Sequence, residues 1–374
     1  YAETGSVGGT SLSLVNASVN EAYANESAQS VASVTGGKIT AGGMMSIVSN
    51  IFSQAKANAK NAKSIGLASF GGLYAKATAA DDSSAYAENA EIRAASADIR
   101  ANADTKAEAT SDQPGGASLV SGSSGTMDAF VGTSARAQKV SASAGENARI
   151  ITEGKISIIA RNVASAKTAM NKGTEVAGVT ISRNNLVTNA YMDTRVNVGA
   201  NAMLRTTKTG APVELKASDK FTTHQEASSN TIAVGSSEQP KAQNNVNQTV
   251  VLEIAGTIEA MGDVKAEASS DADVSAYVNV DAKGIFNANR VEAYNYLRRT
   301  VRAAVKSGGS VVSRFGDVDI AAYSGRNDSI VARTEGGQIG AIGISKGYSR
   351  SQLIARVSVE IERGAVVDGT HGNV

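Results

Sequence analysis

Only two histidines occur in the 374 residues, and cysteine is absent. That shortage excludes thiolate nucleophiles, disulfides and Cys-based zinc sites, and neither histidine has a second ligand at metal-site spacing. His224 sits in Phe221-Thr222-Thr223-His224-Gln225-Glu226 and His371 in Gly369-Thr370-His371-Gly372, both in polar loop or corner contexts. Paired carboxylates at Asp81-Asp82 and Asp271-Ala272-Asp273 could in principle do acid–base work or bind calcium. Nothing basic or aromatic lies immediately beside either pair, so ordinary loop carboxylates are expected. Gly336-Gly337-Gln338-Ile339-Gly340 is as glycine-rich as a phosphate loop but lacks the Lys-Ser/Thr that follows one. It reads as a corner.

Arg298, Arg299, Arg302 and Lys306 form the densest basic run. With a formal net charge of +1 and no interleaved aromatics, the run predicts a charged outer face and not a nucleic-acid site. Tyr277, Tyr294, Tyr296 and Tyr323 would make a carbohydrate platform if folding stacked them on one face. Sequons at Asn16, Asn25, Asn247 and Asn327 are close to chance in so Asn-rich a chain. The expectation is therefore a chain with no catalytic, cofactor-binding or metal-ligating residue and no cofactor.

The elements that would position these groups show period-two alternation. Leu252-Glu253-Ile254-Ala255-Gly256-Thr257-Ile258-Glu259-Ala260, Val318-Asp319-Ile320-Ala321 and Val357-Ser358-Val359-Glu360-Ile361 put apolar and polar side chains on opposite faces of a strand. Residues 54–63 and 295–306 have fair helix propensity, yet Ala55, Ala57 and Ala59 alternate with polar residues, as do Val301, Ala303 and Val305. Strands are expected there too. Glycines at 256, 262, 309, 316, 364 and 369 fall between strands, where a solenoid turns a corner. Residues 111–116 and 236–241, with Pro114 and Pro240, read as loops leaving the stack, because proline cannot donate to a ladder.

A phrase of the form Gly, x, Val/Ile, x, aliphatic recurs about every 55 residues. It starts near residues 43, 97, 154, 210, 262, 316 and 372, clearest in Gly262-Asp263-Val264-Lys265-Ala266 and Gly316-Asp317-Val318-Asp319-Ile320. A second phrase follows in step, as in Glu175-Val176-Ala177-Gly178-Val179 and Gln338-Ile339-Gly340-Ala341-Ile342. Its poorest copies are near residues 119–122 and 280–284. Such a period indicates a stacked array, one elongated body over residues 1–374. With three strands to a coil, each repeat would hold two to three coils, giving a rod on the order of 100 Å. Aromatics make up 4% of the chain and there is no Trp, which implies a thin interior reached by short side chains. The start at Tyr1 and the broken phrase Gly372-Asn373-Val374 read as a piece of something longer, with any export signal or anchor outside it.

The run from Gly256 to Ala266 and that from Val357 to Val367 resemble the repeats of large bacterial exoproteins, the filamentous-haemagglutinin-like and leukotoxin-like proteins of two-partner or autotransporter secretion. The resemblance implies a right-handed parallel β-helix, secreted or held at the cell surface, serving as stalk, adhesin or toxin shaft. It carries over no catalytic residue. The function expected is a non-enzymatic structural shaft or fibre, adhesive and self-assembling. Its partners would be copies of itself, a host or neighbouring cell surface, or glycans, with no nucleic acid and no membrane insertion. A carbohydrate-binding or polysaccharide-cleaving β-helix is the alternative, and a toxin segment a further one.

Overall fold

The computed structural model describes residues 2–5, 10–12, 14–61 and 63–374, and among them every regular element is a strand and every strand pairing is parallel. Ala62, inside the 54–63 stretch, lies outside the described residues. The chain is a parallel β-solenoid. One coil shows the path. An outward leg, Ser96–Gln113, reaches a distal tip. A return leg runs back through Ala117–Val131 and Gln138–Ala144, and a short side, Arg149–Thr152, closes the circuit before Ile156 starts the next coil. The short sides stack into a sheet of seven strands, ending at Val366–Gly369.

Each repeat is a single coil. Ala97 pairs with Met45 before it and Ile156 after it, so one turn of the solenoid consumes the whole repeat. The expectation of two to three coils per repeat fails because the strands are far longer than assumed. Met44–Lys60 and Ile156–Lys172 are each single strands of 17 residues, alternating throughout except at Ser157, which is buried between Ile156 and Ile158. At about 3.3 Å per residue a leg is about 56 Å long, while seven coils at about 4.8 Å rise only about 29 Å. This body is a slab wider than it is tall, not a 100 Å rod.

Alternation along the legs explains their length. In Ile156–Lys172, Ile156, Ile158, Ala160, Ala164 and Ala166 point inward while Arg161, Ser165 and Lys167 point out. Two such legs face each other, and alanine keeps the gap thin. Ala55, Ala57, Ala75, Ala77, Ala109 and Ala129 are fully buried in a cluster between the legs. A second cluster fills the wider end beside the short side, where Ile92, Ile150, Leu204, Ile258 and Val311 stand above one another in register.

The corners are tight. Gly256 packs where a Cβ would lie 2.5 Å from the Ala202 carbonyl oxygen, and Gly364 turns with a φ of 86°. Two expected loops are not excursions. Residues 236–241 continue the strand Val213–Ile254, with Pro240 opposite Asn184 in the preceding coil. Pairing to the following coil skips from Glu238 to Lys241, so the missing N–H is accommodated by a local gap in one ladder. At residues 111–116 only Pro114, Gly115 and Gly116 leave the strand, and a Cβ on Gly115 would sit 1.8 Å from the Thr174 carbonyl oxygen. That contact leaves no room for a longer loop. The second repeat phrase is the distal tip, and its sixth-coil copy is residues 282–286, not 280–284, since Thr231 aligns with Ala282 and Gly235 with Phe286.

Burial fixes a stability prediction. Ile258→Ala removes a fully buried rung of the short-side ladder and should cost roughly 2–4 kcal/mol in denaturant unfolding. Lys106→Ala, on the exposed side of its leg, should stay within about 0.5 kcal/mol.

Candidate functional site

Strand parity separates the carboxylates that adjoin in sequence. Asp81 points inward and is fully buried, its carboxylate accepting from Thr105 Oγ1 at 2.7 Å, the Ala28 amide at 3.0 Å and the Ser53 hydroxyl. Asp82 points outward, 3.6 Å from Arg136. The two cannot act on one substrate. Asp271 lies on the outer side, held by the amide and side chain of Asn327 at 3.2 and 3.1 Å, and Asp273 is exposed beyond it. Among the described residues no group of three His, Asp or Glu is arranged to hold a metal ion.

His224 lies on the outer side of its leg, its Nδ1 2.9 Å from Ser275 Oγ. His371 stacks on Phe315 with ring centres 5.6 Å apart. Of the glycine cluster, Gly336 and Gly337 lie within the strand Ser329–Ile339, while Gly340 fits a corner where a Cβ would lie 1.9 Å from the Gly284 carbonyl oxygen. The tyrosines do not share a face. Tyr277 and Tyr323 lie on the outward legs, beside Arg333 and Arg326, whereas Tyr294 and Tyr296 stack 6.1 Å apart on a return leg.

The basic run is also split. Arg298, Arg302 and Lys306 face outward, but Arg299 follows the inward parity of Val301 and Ala303 and its side chain is fully buried. Its charge is met by Asp328, which accepts from both terminal guanidinium nitrogens at 2.9 and 3.1 Å, and by Gln248 Oε1 at 3.0 Å. Gln248 in turn donates to Asp219 Oδ1 at 3.0 Å. These groups belong to a polar layer that crosses the interior between the two apolar clusters and includes Asp81, Gln138 and Asn162 in the coils before. Asp219 is fully buried there. Desolvation pushes its pKa up to about 7; the Ser270 hydroxyl and the Arg299 charge oppose the rise, and Asp271 and Asp328 add to it.

At the distal tip the usual partition of side chains is reversed. Lys172, Glu175 and Glu238 point inward, with Lys172 Nζ 2.8 Å from Glu175 and 3.6 Å from Glu238. Ser229 and Thr231 donate to Glu238 at 3.0 and 2.7 Å. A polar cavity of about 200 Å³ lies beside them, lined in part by Asn61, Gln113, Lys172 and Glu175. The apolar side chains of the same arc point outward instead. Leu67, Leu119, Val179, Val234, Phe286 and Ile342 are each 46–62% exposed; they fall in two neighbouring columns, in which Val179 pairs with Val120 and Gly235, and Phe286 with Gly235 and Ile342. An edge that is apolar outside and polar inside along successive coils is the feature most unlike an ordinary solvated surface.

Comparison with known proteins finds no counterpart: no family model, curated protein or solved structure matches the chain. The edge must therefore be read from its own chemistry. The sequence signal for it was the second repeat phrase, which reads as a corner until parity is counted inward from the legs.

Asp219 gives a prediction with a definite sign. Its folded pKa of about 7 lies above the ordinary 3.8, so the fold favours the protonated form. Stability from this group is full in acid and declines as pH rises from about 4 to 7. Asp219→Asn should therefore raise the unfolding midpoint at pH 8, by on the order of 2–4 kcal/mol of stability, and change it little at pH 4.

Proposed function

We propose that this chain is a non-enzymatic structural solenoid, a segment of an extracellular or bacterial-surface shaft that lengthens by stacking and carries an adhesive face. The observation that supports this most directly is the last coil. Among the described residues its strands Ser329–Ile339, Ile342–Ile361 and Val366–Gly369 pair with the coil before them and not with any other strand on their far side. Leu353, Val357, Val359 and Ile361 align with buried residues of the preceding coil yet are 46–55% exposed. A row of open backbone groups with in-register apolar rungs is a template for another parallel coil. A second copy of the chain supplies such a coil. The resemblance of the repeat phrases to haemagglutinin-like exoproteins agrees with this reading and supports the surface location.

Electron microscopy of the chain at tens of micromolar should show stacks taller than the ~29 Å of seven coils. Val359→Lys combined with Ile361→Lys should shorten them. Stacks of unchanged length in that variant, or single slabs in the wild type, would count against the proposal.

A carbohydrate-binding face is a second reading, favoured by one groove. Tyr191, Tyr296, Asn189, Asn245 and Asn247 line it on the return-leg side, with Asn245 donating to Asn189 at 2.9 Å. Amides beside tyrosine rings suit sugar hydroxyls and ring faces. Binding on a glycan array that Tyr296→Ala abolishes would support it, and no binding by the wild type would remove it.

A further inference from the structure

We infer that the apolar distal edge is a lateral docking surface for a second copy of this chain, the two copies related by a twofold axis parallel to the stacking direction. The inference goes beyond end-on stacking and uses a different part of the molecule.

Three observations carry it. The first is the reversal at the tip: the polar side chains that an exposed arc would present outward, Lys172, Glu175 and Glu238 among them, are inside, and Val179, Phe286 and Ile342 take their place outside. Six coils of such an arc make an edge roughly 24 Å tall and 15 Å wide, a core of about 360 Å². A standard interface buries ~800 Å² of each partner, so the flanking rows must contribute the remainder.

The second is spacing. Val120 and Val179 pair in adjacent coils, as do Phe286 and Ile342, with Gly235 between the two pairs, so these apolar side chains lie at multiples of the strand separation and a partner with the same separation can meet them level by level. Another copy has that separation by construction.

The third is charge. On the return side of the tip, Arg183, Arg290 and Lys346 face outward, with Arg290 and Lys346 paired directly in adjacent coils. On the outward-leg side of the same arc stand Asp281 and Glu335, with Lys283 exposed two residues nearer the tip than Asp281. Within one copy Arg290 also pairs with Glu292, and Glu335 with Arg333 and the Tyr277 hydroxyl. A twofold axis along the stack sets the outward flank of one copy beside the return flank of the other at the same level. Asp281 then lies near Arg290, and Glu335 near Lys346, of the second copy. A translated, head-to-tail neighbour would not bring the two flanks together in this way, and a lipid surface would meet the acidic flank as well as the basic one. The formal net charge of +1 adds no repulsion between copies.

Sedimentation velocity tests the inference. To remove end-on stacking, all variants are made in the Val359→Lys, Ile361→Lys background. That parent should sediment as a dimer at about 50 µM. Val179→Asp with Phe286→Asp alters two exposed side chains and should weaken dimerisation at least tenfold with circular dichroism unchanged. Asp281→Lys with Glu335→Lys should weaken it as well, and adding Arg290→Glu and Lys346→Glu to that pair should restore it. A monomeric parent, a dimer indifferent to Val179→Asp and Phe286→Asp, or failure of the combined reversal to restore association would overturn the inference. Flotation of a monomeric parent with phosphatidylcholine vesicles, lost in the Val179→Asp, Phe286→Asp variant, would assign the edge to a lipid surface instead. Failure here leaves stack length in the wild-type chain as a separate measurement of the shaft proposal.

Discussion

The parallel backbone ladder between successive coils is the constraint on which everything else in this molecule rests. Each residue of a leg has one counterpart about 4.8 Å above and another below, so side chains stand in columns whose members must tolerate one another. A column can be aliphatic, as at Ile92, Ile150, Leu204, Ile258 and Val311, or polar, as where Asp81 is followed by Gln138 in the next coil. Long legs are affordable only because the facing columns are small. Alanine closes the gap between the two legs without spreading them, and this accounts for a core almost free of aromatic residues.

The polar layers follow from the same columns. A charged residue placed on the inward parity of a strand cannot reach water, so its partners must come from the facing leg or a neighbouring coil. Arg299 finds Asp328 and Gln248, Lys172 finds Glu175 and Glu238, and Asp81 finds Ser53 and Thr105. Asp219 is the least compensated of them: Gln248 satisfies one oxygen, and its protonation is shifted toward neutral pH. These layers divide the interior into two apolar compartments. They also fix register, because a slip of one residue would turn Arg299 and Lys172 out and bury their neighbours.

Much of this was legible in the residues. The 55-residue period, the strands, the corner glycines and the thin interior follow from recurring phrases, alternation and small side chains, while the parallel direction of the strands was implied by the resemblance of the repeats. Counting by two from Ile158 reaches Lys172, and counting back from Val305 reaches Arg299, so even the buried charges were marked in the sequence. They were missed because a charged side chain is assigned to water by its type before its parity is counted. Pro240 was misread for a related reason: composition signalled a loop, while the ladders on either side held the strand through it.

What the sequence determined by itself is local and periodic: which residues alternate, where the chain can turn, and that the same unit recurs. Alternation depends only on adjacent residues, and so it survives without knowledge of the fold. The tertiary structure decided how far a coil runs before it closes, and therefore that one repeat is one coil and the body a slab. It also decided which face of the tip looks outward. Both depend on contacts between residues about 55 apart, which no short window of sequence contains.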